Sequence, residues 1–133
     1  LLTTVLATKR LSDGRRATIL DSGINSLFTS FWYEHKINPA QQLGSQTEEM
    51  VLFGPLCMNI DVVRESVVMP LLEKGNQLVI QKVGAYNMTQ WMQFITTRPN
   101  VVLIDNDNNT HIIRKAETLE YVQQPEQIPD HLS

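Results

Sequence analysis

Apolar and polar positions along this chain fall into short alternating or wholly apolar runs separated by turn residues, a pattern that predicts strands more often than helices. Residues 2–8 are rich in Thr and Val and suit a strand. Ser12-Asp13-Gly14 is a turn signal, and residues 16–21 read as a second strand, so the two predict a hairpin. After the break at Ser22-Gly23, residues 25–33 are apolar and aromatic without clean alternation. They predict a short helix or a packed irregular segment. The polar stretch from Asn38-Pro39 to Glu49 reads as a loop. Residues 50–53 are apolar throughout and predict a buried strand, ended by Gly54-Pro55.

The Val-rich run 61–68 favours a strand, although the pairing of its apolar positions also fits a helix. Lys74-Gly75-Asn76 is a turn. Residues 77–83 alternate, with Leu78, Ile80 and Lys82 on one face and Val79 and Gln81 on the other. Met88, Trp91, Met92 and Ile95 stand at helical spacing and predict a helix within residues 87–96. Two further strands, 101–105 and 111–114, flank the polar turn 106–109. This turn superficially resembles a calcium loop but has no central Gly and no terminal Glu. The stretch 123–133, rich in Gln, Pro and Asp, predicts a loose polar tail. The chain shows no internal repeat. Together the elements predict a mainly β domain over residues 1–122, a barrel or sandwich with one or two short helices.

Composition narrows the function. With 133 residues, 42% hydrophobic and 19% charged, the chain suits one domain with a core. A net charge of −3 argues against a nucleic-acid surface. No apolar run approaches the ~20 residues of a membrane span, and the start carries no signal-peptide pattern. The single cysteine, Cys57, cannot form an internal disulfide, so a reduced, cytoplasmic setting is expected. The three histidines and Cys57 show no metal-ligand spacing, so no metal site is expected. The chain opens without Met, inside an apolar segment, and reads as a piece of a longer protein.

Candidate chemistry gathers in a few short motifs. Cys57 directly follows a Gly-Pro turn in Gly54-Pro55-Leu56-Cys57-Met58-Asn59-Ile60-Asp61. Upstream lies Asp21-Ser22-Gly23-Ile24-Asn25. Downstream come Met69-Pro70-Leu71-Leu72-Glu73-Lys74-Gly75-Asn76 and then Gly84-Ala85-Tyr86. Taken singly, each has a structural explanation: a small buried thiol, a turn, a core aromatic, or an Asp61 that caps a local turn or pairs with Arg64. Glu34 and His35 read as a solvated loop pair, and Met88, Trp91 and Met92 as packing.

In this order, the motifs resemble the C-terminal β domain of the pyridoxal-phosphate-dependent decarboxylases that act on ornithine, arginine and diaminopimelate. The resemblance runs from about Ala17 to Ile104. It implies a homodimeric enzyme acting on an amino acid, with pyridoxal phosphate held mainly by an N-terminal β/α barrel that this chain does not include. It implies that Cys57 is lent to the partner's site, where a thiol can return a proton to Cα. It implies that Tyr86 bonds the cofactor phosphate within its own subunit. Phe94 matches an aromatic position at the mouth of the site, Tyr33 a tyrosine beside the substrate, and Glu34 a carboxylate able to hold a distal ammonium. Asp61 and Met58 join them as substrate-side residues. The thiol and phenol are expected to face a shared cavity that the barrel completes.

Some positions depart from the family pattern. Met58 stands where the family carries Asp or Glu against a distal amine, and losing that charged hydrogen bond would cost a basic substrate about 1.5–3 kcal/mol. Thr29 stands near the position of an Arg that clamps a distal carboxylate. These departures speak against diaminopimelate and against a standard ornithine or arginine specificity, and they leave room for a modified substrate such as an acylated or citryl-linked diamino acid. The alternative reading is a decarboxylase-like module that dimerises without catalysing.

Overall fold

The computed structural model describes residues 1–132, so Ser133 of the expected tail lies outside the described residues. The described residues form two units, Leu1–Met92 and a second from Gln93 onward.

The first unit is one six-stranded sheet. It contains β1 (Leu2–Arg10), β2 (Arg16–Leu20), β3 (Ile37–Pro39), β4 (Thr47–Phe53), β5 (Val62–Pro70) and β6 (Gln77–Ile80), in the spatial order β3-β6-β1-β2-β4-β5. The sheet curls into a half-barrel, in line with the expected mainly β class. β1 and β2 pair antiparallel across the predicted turn, with Thr8 opposite Thr18. β2 and β4 run parallel, Ala17 beside Val51. This parallel pair needs a long crossover between its strands, and residues 21–46 supply it.

The concave side is filled by one apolar cluster. Val5, Leu20, Leu27, Met50, Leu52, Val63, Met69, Leu72, Leu78 and Ile80 are all buried. The unbroken run Met50-Val51-Leu52 is buried on both faces, which is why it lacks alternation. β6 alternates as expected: Leu78 and Ile80 point inward while Val79 is more exposed. The pattern stops sooner than predicted. Lys82 is exposed with φ +57°, so it leaves the strand rather than sharing the inner face. At the preceding turn Gly75 takes φ +90°, a conformation glycine adopts without a Cβ clash.

Two further expectations need correction. The polar stretch 38–49 is not all loop. Its start belongs to β3, which pairs with β6, and its end opens β4. Pro39 closes an edge strand, where a missing N–H costs no ladder bond. The helix expected within 87–96 is shorter and earlier, α1 (Ala85–Thr89). The Met92 N–H donates to the Asn25 carbonyl at 3.1 Å, outside the helix, and Ile95 sits at φ +70°. Neither condition permits a continued α-helix. The segment around Phe28–Phe31 is a single 3-10 turn, one of the two outcomes its pattern predicts.

The second unit holds the predicted hairpin, β7 (Val101–Ile104) against β8 (Thr110–Arg114), and the short helix α2 (Leu119–Gln123). The expected tail contains a 3-10 turn, Asp130–Leu132. Among the described residues, no helix is long and apolar enough to cross a membrane.

Candidate functional site

The geometry around Cys57 starts from one buried carboxylate. Asp61 is 2% exposed, and its two oxygens accept from the Ile24 N–H at 2.8 Å and the Leu56 N–H at 2.7 Å. The Asp61 carbonyl accepts from the Gly54 N–H at 2.9 Å, and its own N–H donates to the Met58 carbonyl at 3.0 Å. One side chain therefore ties the loop after β2 to the loop after β4. A Cβ on Gly54 would stand 2.4 Å from the Gly23 Cα, so both glycines let the two backbones touch. Asp61 thus corrects the expectation of a substrate contact: its oxygens are committed to backbone donors and shielded from solvent. It also does not pair with Arg64. Its role is to shape the loop on which Cys57 stands exposed and Met58 half-buried.

Tyr86 is placed by different means. It follows Gly84 on the first turn of α1 and is 62% exposed. It lines a cleft of about 810 Å³ together with Tyr33, Glu34, His35, Lys36 and Lys82. An exposed phenol on a wall that also carries two ammonium groups suits an anionic ligand group. A second cleft, of about 700 Å³, shares Tyr33 and Glu34 with the first and adds Trp32, Ile60 and Arg64. Tyr33 and Glu34 therefore form the ridge between the two clefts. Glu34 is ion-paired with the Arg64 guanidinium at 3.3 Å, and Arg64 also donates to the His35 carbonyl.

The expected residues are brought together only in part. Tyr33, Glu34 and Tyr86 line one cleft, whereas Cys57 and Met58 line neither cleft and stand on the Asp61 loop. Thiol and phenol thus do not share a cleft built by this chain alone, because separate strand ends carry them. Both are exposed, and neither is sealed in the core. Phe94 is exposed and belongs to the second unit.

His35, expected in a solvated loop pair, is instead buried. One ring nitrogen lies 2.6 Å from Thr29 Oγ1 and the other 3.0 Å from the Gln81 carbonyl. Thr29 in turn meets the buried Asn87 of α1. Sequence reasoning also passed over Lys36 and Lys82. The weak signal for them was their position, Lys36 beside His35 and Lys82 two residues before Gly84.

Comparison with known proteins gives this geometry its context. Residues 1–84 match the family model described as the pyridoxal-dependent decarboxylase C-terminal sheet domain. A diaminopimelate decarboxylase of Helicobacter pylori is 32% identical over 126 residues, covering 90% of this chain and 30% of that enzyme. A lysine/ornithine decarboxylase of Selenomonas ruminantium is 30% identical over 95 residues, 71% of this chain and 24% of that enzyme. The crystal structure of diaminopimelate decarboxylase from M. jannaschii matches with a TM-score of 0.89 at 25% identity, over 100% of this chain and 31% of that one. The chain therefore spans less than a third of the length of these relatives. The likenesses fit a decarboxylase domain, not a non-catalytic module. The matched residues hold the curled sheet and the glycine-packed loop that carries Cys57, and the chain belongs to the pyridoxal-dependent decarboxylases as their C-terminal sheet domain.

Proposed function

We propose that this chain is the sheet domain of a homodimeric amino-acid decarboxylase that uses pyridoxal phosphate and is completed by an N-terminal β/α barrel. The observation that carries the reading is the Tyr86 cleft, whose phenol and two lysines, Lys36 and Lys82, fit a phosphate group. When bound, pyridoxal phosphate supplies the electron sink for loss of the substrate carboxylate as carbon dioxide.

This chain's residues do the positioning and the proton work. The Tyr86 hydroxyl would hold the phosphate group as a hydrogen-bond donor, and Lys36 and Lys82 would offset its charge. Cys57 Sγ–H holds the proton that returns to the substrate Cα in the partner's site. Its exposure on the Asp61 loop, outside the Tyr86 cleft, supports that division between two sites. Tyr33, Glu34, Met58 and Phe94 contact the substrate. With Met58 uncharged and Glu34 already paired with Arg64, the favoured substrate is a diamino acid whose distal amine is acylated.

The partner surfaces have support as well. In the second unit Leu103, Ile104, Ile112 and Ile113 are each more than half exposed on a two-stranded ribbon, an apolar area that suits cover by the barrel or the second subunit. A single reduced cysteine suits a cytoplasmic enzyme.

The test is full-length protein supplied with pyridoxal phosphate and a panel of amino acids, free and acylated, with carbon dioxide release as readout. Release from at least one amino acid is expected. A cofactor-loaded dimer that releases none would overturn the proposal.

A further inference from the structure

In the wall of the cleft, four residues form a chain of hydrogen bonds whose protons can be counted. The Gln81 carbonyl can only accept, so the His35 Nδ1 at 3.0 Å carries a proton. The Thr29 N–H donates to Asn87 Oδ1 at 3.1 Å, so that amide oxygen, rather than its nitrogen, faces Thr29. Thr29 Oγ1 then stands 3.0 Å from Asn87 Oδ1 and 2.6 Å from His35 Nε2. The hydroxyl owns one proton, and these two contacts need two. If the hydroxyl donates to Asn87, Nε2 must bring its own proton. If Nε2 is bare, the hydroxyl must turn to it, and two oxygens face each other at 3.0 Å with no proton between them. Every contact is satisfied only when His35 carries protons on both nitrogens.

We propose that His35 is a positioning residue that acts as a doubly protonated ring, latching α1, and with it the Tyr86 phenol, to the Thr29 turn and the end of β6. Loss of the Nε2 proton forces a choice between the His35–Thr29 and Thr29–Asn87 bonds: one choice takes the Thr29 hydroxyl from Asn87, the residue beside Tyr86, and the other detaches the ring from the turn that holds Asn87. All three latch side chains are buried, so water does not readily replace the lost partner.

The charges around the ring set how the latch responds. On its own segment stand Tyr33, with ring centroids 6.3 Å apart, Glu34 and Lys36. β5 brings Arg64 to the His35 carbonyl, the end of β6 brings Lys82, α1 brings Tyr86, and the Thr29 turn brings no charge. Three cations oppose a protonated ring and Glu34 favours it. An anion in the cleft therefore favours it further, and by linkage the closed latch favours the anion. That last coupling rests on the reading of the cleft as a phosphate site. The latch itself does not.

The experiment uses full-length protein with 15N-labelled histidine and 13C-labelled tyrosine. The His35 ring is expected to show two protonated nitrogens, and the Tyr86 resonance to move along the same curve as His35 when the pH is raised. His35→Gln keeps a donor toward Thr29 but does not titrate, so the Tyr86 response should vanish. Thr29→Val keeps the ring and removes the middle link, with the same expected loss, and serves if the first variant does not fold. A neutral ring protonated only at Nδ1 across the folded pH range overturns the latch, as does a Tyr86 response that persists in either variant. Pyridoxal phosphate is then added. A His35 curve displaced to higher pH supports the coupling, and an undisplaced curve beside an intact latch counts against the phosphate site alone.

Discussion

Gly54 and Asp61 are bound at both ends of one loop: the Gly54 N–H donates to the Asp61 carbonyl at 2.9 Å, and a Cβ on Gly54 would fall 2.2 Å from the Asp61 carboxylate. The loop that presents Cys57 is closed by this pair. Its shape depends on the absence of one carbon atom as much as on the presence of a charge.

Gly54→Ala is expected to destabilise the protein by about 3 kcal/mol, the upper end for overpacking a tight site. The added methyl meets the Gly23 backbone as well as a carboxylate, and backbone cannot swing aside. Urea unfolding of the full-length variant measures this. A loss under about 0.5 kcal/mol, the range of ordinary surface substitutions, would mean that the two loops are not in contact.

Asp61→Asn should cost about 1–3 kcal/mol, because one of two buried N–H donors loses its acceptor. The Cys57 loop should loosen too. Faster alkylation of Cys57 in the folded variant than in the parent is the expected readout, and equal rates would show that another group holds the loop.

Cys57→Ala and Tyr86→Phe should fail differently. Removing a proton donor from the reacting carbon is expected to slow turnover by roughly 100- to 10,000-fold, with cofactor affinity kept. Removing the phenol should weaken cofactor retention about ten- to a hundredfold, the equivalent of one charged hydrogen bond. Equilibrium dialysis of pyridoxal phosphate beside single-turnover kinetics separates the two. Identical defects in both would contradict the assigned roles.

Met58→Glu tests the substrate side. A carboxylate at this half-buried position should improve binding of an unmodified diamino acid by about tenfold or more, as expected of a charge-assisted hydrogen bond. KM for lysine or ornithine against that for an acylated diamino acid is the measurement. An unchanged ratio would remove Met58 from the site.

In the second unit Asp105 is held at about 2, below its ordinary 3.8, first by the hydrogen bond from His111 and then by the Asn109 backbone and side-chain donors. A depressed carboxylate contributes its stability above the ordinary value and loses it as pH falls through about 2. His111→Ala should therefore return the Asp105 titration toward 3.8, as read by carboxyl NMR. An unmoved curve would make the Asn109 donors sufficient alone.

By itself the sequence determined which segments are strands and where the turns fall, because those depend on neighbours. Leu78 and Ile80 alternate with Val79, Gly75 supplies a positive φ, and Met50-Val51-Leu52 is apolar enough to be buried on both faces. It also carried the resemblance to the family, since Gly-Pro-x-Cys and Gly-Ala-Tyr stand as contiguous words in the chain. Partnership across distance was decided only by the fold. Whether Asp61 binds substrate or backbone depends on where Ile24 arrives, 37 residues away, and whether His35 is solvated or buried and bonded depends on where Gln81 arrives, 46 residues away. A helix pattern over 87–96 likewise gave way once the Asn25 carbonyl took the Met92 N–H. A polar side chain acquires its role from whichever donor or acceptor packing delivers to it, and no local pattern of residues encodes that delivery.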